Sequence, residues 1–87
     1  MLLRSKAKNK KWSIKWHNRI INFGDKRYED YTQHHNKQRR DRYWQRHKHD
    51  KVDDPTKPGF WAAWVLWGPS INIQTNLHNA LKIANRA

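Results

Sequence analysis

No cysteine occurs in the 87 residues, which removes a disulfide framework, a thiolate zinc site and a cysteine nucleophile together. That usage suits a reducing compartment. Aliphatic and phenyl side chains are scarce. Leu, Ile, Val and Phe number 15 of 87, a level at which a highly charged chain is expected to stay disordered. Acidic residues are few, 7 against 19 Lys+Arg, giving a formal net charge of +12. The apolar run Phe60 to Trp67 is eight residues long, whereas a membrane-spanning helix needs about 20. Met1-Leu2-Leu3-Arg4 lacks the apolar stretch of a signal peptide, so a soluble, non-secreted protein is expected. A Gly-rich phosphate loop and a catalytic triad are also missing, and so short a chain leaves little room for a substrate pocket. An enzyme, a small-molecule substrate and a cofactor are therefore not expected.

Set against these absences are 6 Trp and 3 Tyr, for which a disordered polycation has no use. A domain of this size buries only about 60% of its unfolded surface. Its core must be built from aromatic residues or completed by a partner. Charge is graded along the chain: residues 1–24 hold 7 basic and no acidic residues, residues 25–51 hold 9 and 5, and residues 52–87 hold 3 and 2. The polyanion-facing part is expected at the front.

The spacing predicts a small single α+β domain over residues 12–87, preceded by a flexible basic arm over residues 1–11. Trp12, Ile14 and Trp16 alternate with polar residues as in a half-buried strand. His17-Asn18-Arg19 can turn the chain into a second strand, Ile20 to Phe23, giving a hairpin over 12–24 closed by Gly24. A basic helical segment follows over 25–51. In it Asp25 is expected to cap a short helix carrying Tyr28 and Tyr31 on one face, ending near His34-His35. Asn36 is expected to cap a second helix from Lys37 to about His49, with Arg39, Tyr43 and Arg46 on one stripe and Arg40, Trp44 and His47 on the next. Residues 53–59, with two prolines and a glycine, read as a linker. The remaining segment, 59–86, reads as a buried aromatic helix over Phe60 to Trp67, stopped by Gly68-Pro69, and an amphipathic helix capped by Ser70. On this last helix Ile73, Leu77, Leu81 and Ala84 form the apolar stripe. Three or four short helices thus pack on an N-terminal β-hairpin.

The basic front carries the main functional expectation. Arg4, Lys6, Lys8, Lys10, Lys11, Lys15 and Arg19 lie in a stretch without acids, and on the second helix Arg39, Arg40, Arg42, Arg46 and Lys48 add guanidinium forks suited to phosphate. Side chains of this kind neutralise phosphates and release counterions. The competing reading is a solubilising tail and a solvated helix whose arginines pair with Glu29, Asp30, Asp41 and Asp50. No recognition-helix motif singles out base readout. His34, His35, His47 and His49 are not spaced as a metal site: His47 and His49 point about 200° apart on a helix, and no metal is expected. Phe60, Trp61, Trp64 and Trp67 read as core, with a protein-docking surface as the alternative. Base stacking is disfavoured for them because they fall in the least basic third.

The run Phe23-Gly24, Tyr28-Glu29-Asp30-Tyr31-Thr32-x-His34, Arg42-Tyr43-x-x-Arg46-His47-Lys48, Asp54-Pro55, Gly59-Phe60-Trp61 and Leu66-Trp67 resembles a family of small basic proteins encoded by large nucleocytoplasmic DNA viruses. The resemblance spans about residues 12–84. Trp44 stands where that pattern has an aliphatic residue, and Gly68-Pro69-Ser70 shortens its turn. The resemblance implies an origin and not an activity. It sets two expectations: a non-enzymatic virion-associated protein that neutralises a polyanion, in the first place viral nucleic acid without sequence selectivity, or a minor capsid protein that cements viral capsid proteins through its arm and aromatic helix. Either would be found in the virion, and in the host cell cytoplasm or viral factory.

Overall fold

The computed structural model describes residues 2–47 and 52–86. Its first half is an antiparallel meander of β1 (Leu2–Arg4), β2 (Lys10–Trp16) and β3 (Arg19–Asp25), in that spatial order. Pairing sets Trp12 opposite Phe23 and Ile14 opposite Ile21. With side chains alternating across a strand, this puts Trp12, Ile14, Trp16, Ile21 and Phe23 on one face and leaves Ile20 exposed on the other. The hairpin turn falls where the sequence places it. His17 and Asn18 both adopt left-handed backbone, with φ of 47° and 62°, as a two-residue loop matched to strand twist requires.

The arm expected over residues 1–11 is corrected: over its described residues it belongs to the sheet. Leu2 pairs with Ile14 and Arg4 with Trp12. The connecting turn is held by the Lys10 N–H on the Ala7 carbonyl at 3.2 Å and by Asn9 at φ 64°. Ser5 is buried; its Oγ accepts from the Ala7 N–H and donates to Asn22 Oδ1 at 2.6 Å, tying the turn to β3. A three-residue strand among five cations gives almost no periodic signal, which is why the sequence reads as a tail.

Among the described residues four helices follow: α1 (Tyr31–His34), α2 (Lys37–Arg46), α3 (Pro58–Trp61), which runs on into a π-helical stretch Ala62–Leu66, and α4 (Ile73–Arg86). The first cap differs from expectation. Asp30, not Asp25, caps α1, its carboxylate accepting from the Thr32 N–H at 3.0 Å while Gln33 Oε1 accepts from the Asp30 N–H at 3.1 Å. This reciprocal capping box satisfies two otherwise orphaned donors. Asp25 instead ends β3 and is engaged by Arg27, leaving Tyr28 in a loop and Tyr31 buried on α1. Asn36 caps α2 as expected, accepting from the Arg39 N–H at 3.1 Å. The cap of α4 is Asn72, whose Oδ1 accepts from Gln74 and Thr75, and Ser70 lies two residues upstream, its Oγ accepting from the Asn72 N–H.

The core is aromatic-built. Phe23, Phe60, Trp61 and Val65 are fully enclosed, with Ile14, Ile21, Leu66, Leu77, Ala80 and Ala84 around them, and Trp12, Trp16, Trp64, Trp67, Ile73 and Leu81 cover its edges half-buried. A truncation at Trp61 should cost about 3–5 kcal/mol. Three indoles also act as hydrogen-bond handles: Trp61 Nε1 donates to the Pro55 carbonyl, Trp64 Nε1 to that of Val52 and Trp44 Nε1 to that of Trp67. The first two tie the proline-containing linker onto the aromatic helix.

That helix ends at Trp67-Gly68, where its last carbonyls have no helical partner. Side chains from both flanking helices supply the donors. Asn76 Nδ2 reaches the Val65 carbonyl at 3.0 Å, and Arg40 Nε reaches those of Trp67 and Gly68 at 3.1 and 2.8 Å. Gly68 has no space for a side chain: a Cβ there would lie 2.2 Å from the Trp64 carbonyl oxygen. Among the described residues no helix is long and apolar enough to cross a membrane.

Candidate polyanion-binding groove

Helix α2 carries cations on two stripes, and the fold gives each a different task. Arg39, Arg42, Tyr43 and Arg46, at i, i+3, i+4 and i+7, share one face and line an open groove of about 820 Å³. The lining continues with the start of β2, with Lys10 and Lys11, the end of β3, with Asp25, and the segment after it, with Tyr28, Glu29 and Asp30. Pro58, Gly59, Ala62, Leu66 and Trp67 form the remainder of the lining. Gly24 stands at the join in left-handed conformation, φ 81°, where a Cβ would lie 2.8 Å from Leu66 Cδ1. Only glycine lets the sheet end close against the π-helical stretch.

The groove holds five Lys and Arg side chains against three carboxylates, and the pairing among them decides which cations are available. Lys11 Nζ is 2.7 Å from Asp30 Oδ2 in a largely buried pair, and it also donates to Gln33. Arg27 takes Asp25 through both carboxylate oxygens, at 3.0 Å from Nε and 2.8 Å from the terminal nitrogen. That guanidinium, together with the Arg27 N–H, holds the Asp25 carboxyl down at a pKa of about 2. Arg39 stands 4.0 Å from Glu29, an exposed pair of small energetic weight. Arg42 and Arg46 form no ion pair among the described residues; Lys10, opposite Asp25 in the β2–β3 pairing, adds its charge to the lowering of that carboxyl without a contact within 4.0 Å, and all three line the groove.

The second stripe is structural. Arg40 caps the aromatic helix, as described above, and its guanidinium lies 5.7 Å from the Tyr31 ring and 6.0 Å from that of Trp44. Its Nε is turned inward onto the Trp67 and Gly68 carbonyls, and it is removed from the set of phosphate-binding candidates. Lys11 leaves the set for the same reason, since Asp30 and Gln33 already occupy its ammonium.

The other predicted cations are distributed around the sheet. Lys6 and Lys8 are exposed in the β1–β2 turn, near the groove end of the sheet, because the Lys26 N–H bonds the Asn9 carbonyl there at 3.0 Å. Arg4 is exposed with its guanidinium 5.7 Å from the Trp12 ring. Lys15 and Arg19 are exposed beside the hairpin turn, about 16 Å along the strand from Lys10 at 3.3 Å per residue. They form a separate patch. Lys48 lies outside the described residues.

Phe60 and Trp61 are core, as expected, and offer nothing to a partner. Trp67 is half-buried and stacks on Tyr43, with ring centroids 4.4 Å apart and planes within 3°. Tyr43 also meets His47 at 4.2 Å, and Trp67 meets His34 at 5.2 Å. A column of four rings thus braces α2 against the aromatic helix. The fold also brings aromatic residues of the least basic third beside the arginines of the most basic helix, which linear charge counting separates. The residue that sequence reasoning missed is Tyr28, 68% exposed on the groove wall. The Arg27 guanidinium is 6.0 Å from its ring. Its only sequence signal was the same tyrosine spacing that suggested a shared helix face with Tyr31.

His34 closes the α1–α2 corner. Its Nδ1 accepts from the Asn36 N–H at 2.9 Å, so the neutral ring carries its proton on Nε2, which is buried without a partner. Burial, followed by the charge of Arg39, pushes its pKa below the usual histidine value.

No curated protein and no solved structure matches the chain. A family described as a family of unknown function, DUF5754, matches residues 1–47, more than half of the sequence, and the chain belongs to that family.

Proposed function

We propose that this protein is a non-enzymatic binder of polyanions, nucleic acid above all, acting by charge neutralisation with little sequence selectivity. The observation that carries the reading is that Lys10, Arg42 and Arg46 line one groove and form no ion pair among the described residues, while Lys11 and Arg27 take Asp30 and Asp25. A merely solubilising charge distribution has no need to gather cations in a concavity. Lys6, Lys8 and Lys26 at the adjacent sheet end extend the positive field, which steers an anionic partner toward the groove. The resemblance to small basic viral proteins adds a setting to this proposal, a virion-associated protein made in an infected host cell. Less supports a capsid cement: residues 2–4 are committed to the sheet, and Phe60 and Trp61 to the core.

The test is a titration of the full chain with fluorescent duplex DNA from low to moderate salt. Affinity should fall linearly on a log–log scale as salt rises. An absence of binding at low salt, or an affinity indifferent to salt, would refute the proposal.

A further inference from the structure

Resting on that polyanion-binding reading, we infer that the groove is a site for single-stranded nucleic acid, with Tyr28 as a stacking platform and Lys10, Arg42 and Arg46 as phosphate contacts. Two features of the groove have no use for a duplex. The first is Tyr28. An aromatic ring left 68% exposed gains little for folding, yet its position is built rather than incidental. Asp25 holds the Arg27 guanidinium through both oxygens, and that guanidinium stands 6.0 Å from the Tyr28 ring. The Tyr28 N–H is further tied to the Asp25 carbonyl at 3.1 Å. That bond fixes the backbone at Tyr28, and the ring it carries is left open to a flat partner.

The second feature is the apolar part of the lining, Pro58 and Ala62, which shares the groove with the cations of α2 and Lys10. A duplex keeps its bases stacked inside and offers phosphates on a convex surface, so it would meet only the rim. A single strand exposes base faces and phosphates together. Its recognition combines a positive groove with aromatic stacking that accepts any base. A concavity of about 820 Å³ falls within the range of sites that enclose small ligands, so a free nucleotide shares the chemistry and must be distinguished from a strand.

The experiment measures anisotropy of three labelled probes with the full-length protein at one low salt concentration: an oligothymidylate of about twelve nucleotides, a mixed-sequence duplex of the same length, and a thymidine mononucleotide. The single strand should bind about tenfold more tightly than the duplex. Tyr28→Ala should remove about tenfold from single-strand affinity, as expected for one stacked base, while leaving the duplex within about twofold; Tyr28→Phe should restore the single-strand value. Tyr28 is exposed, so unchanged thermal unfolding of both variants is the expected control. A duplex bound as tightly as the strand, or a Tyr28→Ala variant with unaltered single-strand affinity, overturns the inference while leaving polyanion binding intact. A mononucleotide bound as tightly as the oligomer overturns the assignment to a strand. If none of the probes binds at low salt, the polyanion-binding reading falls as well.

Discussion

Asn76 should be among the most costly residues to replace in this protein, although it is polar and sits on an amphipathic helix. Its side chain is fully buried. The amide donates to the Val65 carbonyl at 3.0 Å and to the Ser70 carbonyl at 2.6 Å, and its Oδ1 accepts from the Ser70 N–H at 3.0 Å. Asn76→Ala removes all three bonds. The Val65 carbonyl, at the buried end of the aromatic helix, is left without a donor, which costs about 1–3 kcal/mol. The two Ser70 groups are nearer to solvent and can rehydrate, so they add about 0.5 kcal/mol each, and the space vacated beside Gly68 adds about 1 kcal/mol. The sum is about 3–5 kcal/mol, a large part of the roughly 4–13 kcal/mol expected for a chain of this length. Urea unfolding followed by tryptophan fluorescence should therefore show a midpoint lower by about 2–3 M for a slope of about 1.5 kcal/mol per molar. Asn79→Ala, three positions further on the same helix, should stay within about 0.5 kcal/mol of the parent. A loss below about 1 kcal/mol at Asn76 would refute the role given to it.

Other expectations follow from single contacts. Gly68→Ala forces a Cβ to within 2.2 Å of the Trp64 carbonyl oxygen, so the chain must move there, at a cost of about 3 kcal/mol in the same unfolding assay; a neutral substitution would contradict the packing described. The Asp25 carboxyl should titrate near pH 2 by NMR. In Arg27→Ala it should return toward the ordinary carboxylate value of about 3.9, and an unmoved titration would show that the ion pair is not what lowers it. Its depressed value makes the Asp25 contribution fully present above the unfolded carboxylate pKa and lost as pH falls through about 2. His34 is lowered by burial and by Arg39, against the opposing pull of Asp30 and Glu29, with His35 adding to the lowering. Below the unfolded histidine pKa of about 6.5 the unfolded chain therefore takes up a proton that the folded chain resists, so stability should decline as pH falls from there. Urea midpoints between pH 7.5 and 5 should show this slope, and His34→Gln should flatten it; equal slopes would remove His34 as its source.

Much of the fold was legible because the sequence obeys local rules. The alternation of Trp12, Ile14 and Trp16, the polar turn at His17-Asn18, the Asn36 cap and the Pro-Gly punctuation before Phe60 all signal through near neighbours, and each has its counterpart in the structure. What escaped depends on distant partners. Leu2–Arg4 becomes a strand only because β2 offers a pairing edge, and Asp30 outcompetes Asp25 as a cap because Gln33 completes the reciprocal box while Arg27 captures Asp25. The candidate site was legible as chemistry but not as geometry. The arginine helix was visible as a basic segment, whereas its division into a groove-facing stripe and an Arg40 that caps the aromatic helix arises from a contact between residues 40 and 68. The same long-range packing sets Trp67 against Tyr43, where charge counting along the chain had kept aromatic residues and cations apart.

The central claim is that Lys10, Arg42 and Arg46, rather than the overall net charge, engage the polyanion. Its most direct test is the slope of log affinity against log salt for the parent and for a Lys10→Gln/Arg42→Gln/Arg46→Gln variant, with a variant carrying Gln at Lys15, Arg19 and Lys82 as the charge-matched control. For three lost phosphate contacts the slope should become shallower by about 2 on a single strand, at about 0.7 per contact, and by up to about 2.7 on a duplex. The control, which removes three exposed cations away from the groove, should keep nearly the parent slope. Equal losses in the two variants would mean that charge alone governs binding and would contradict the account of the groove.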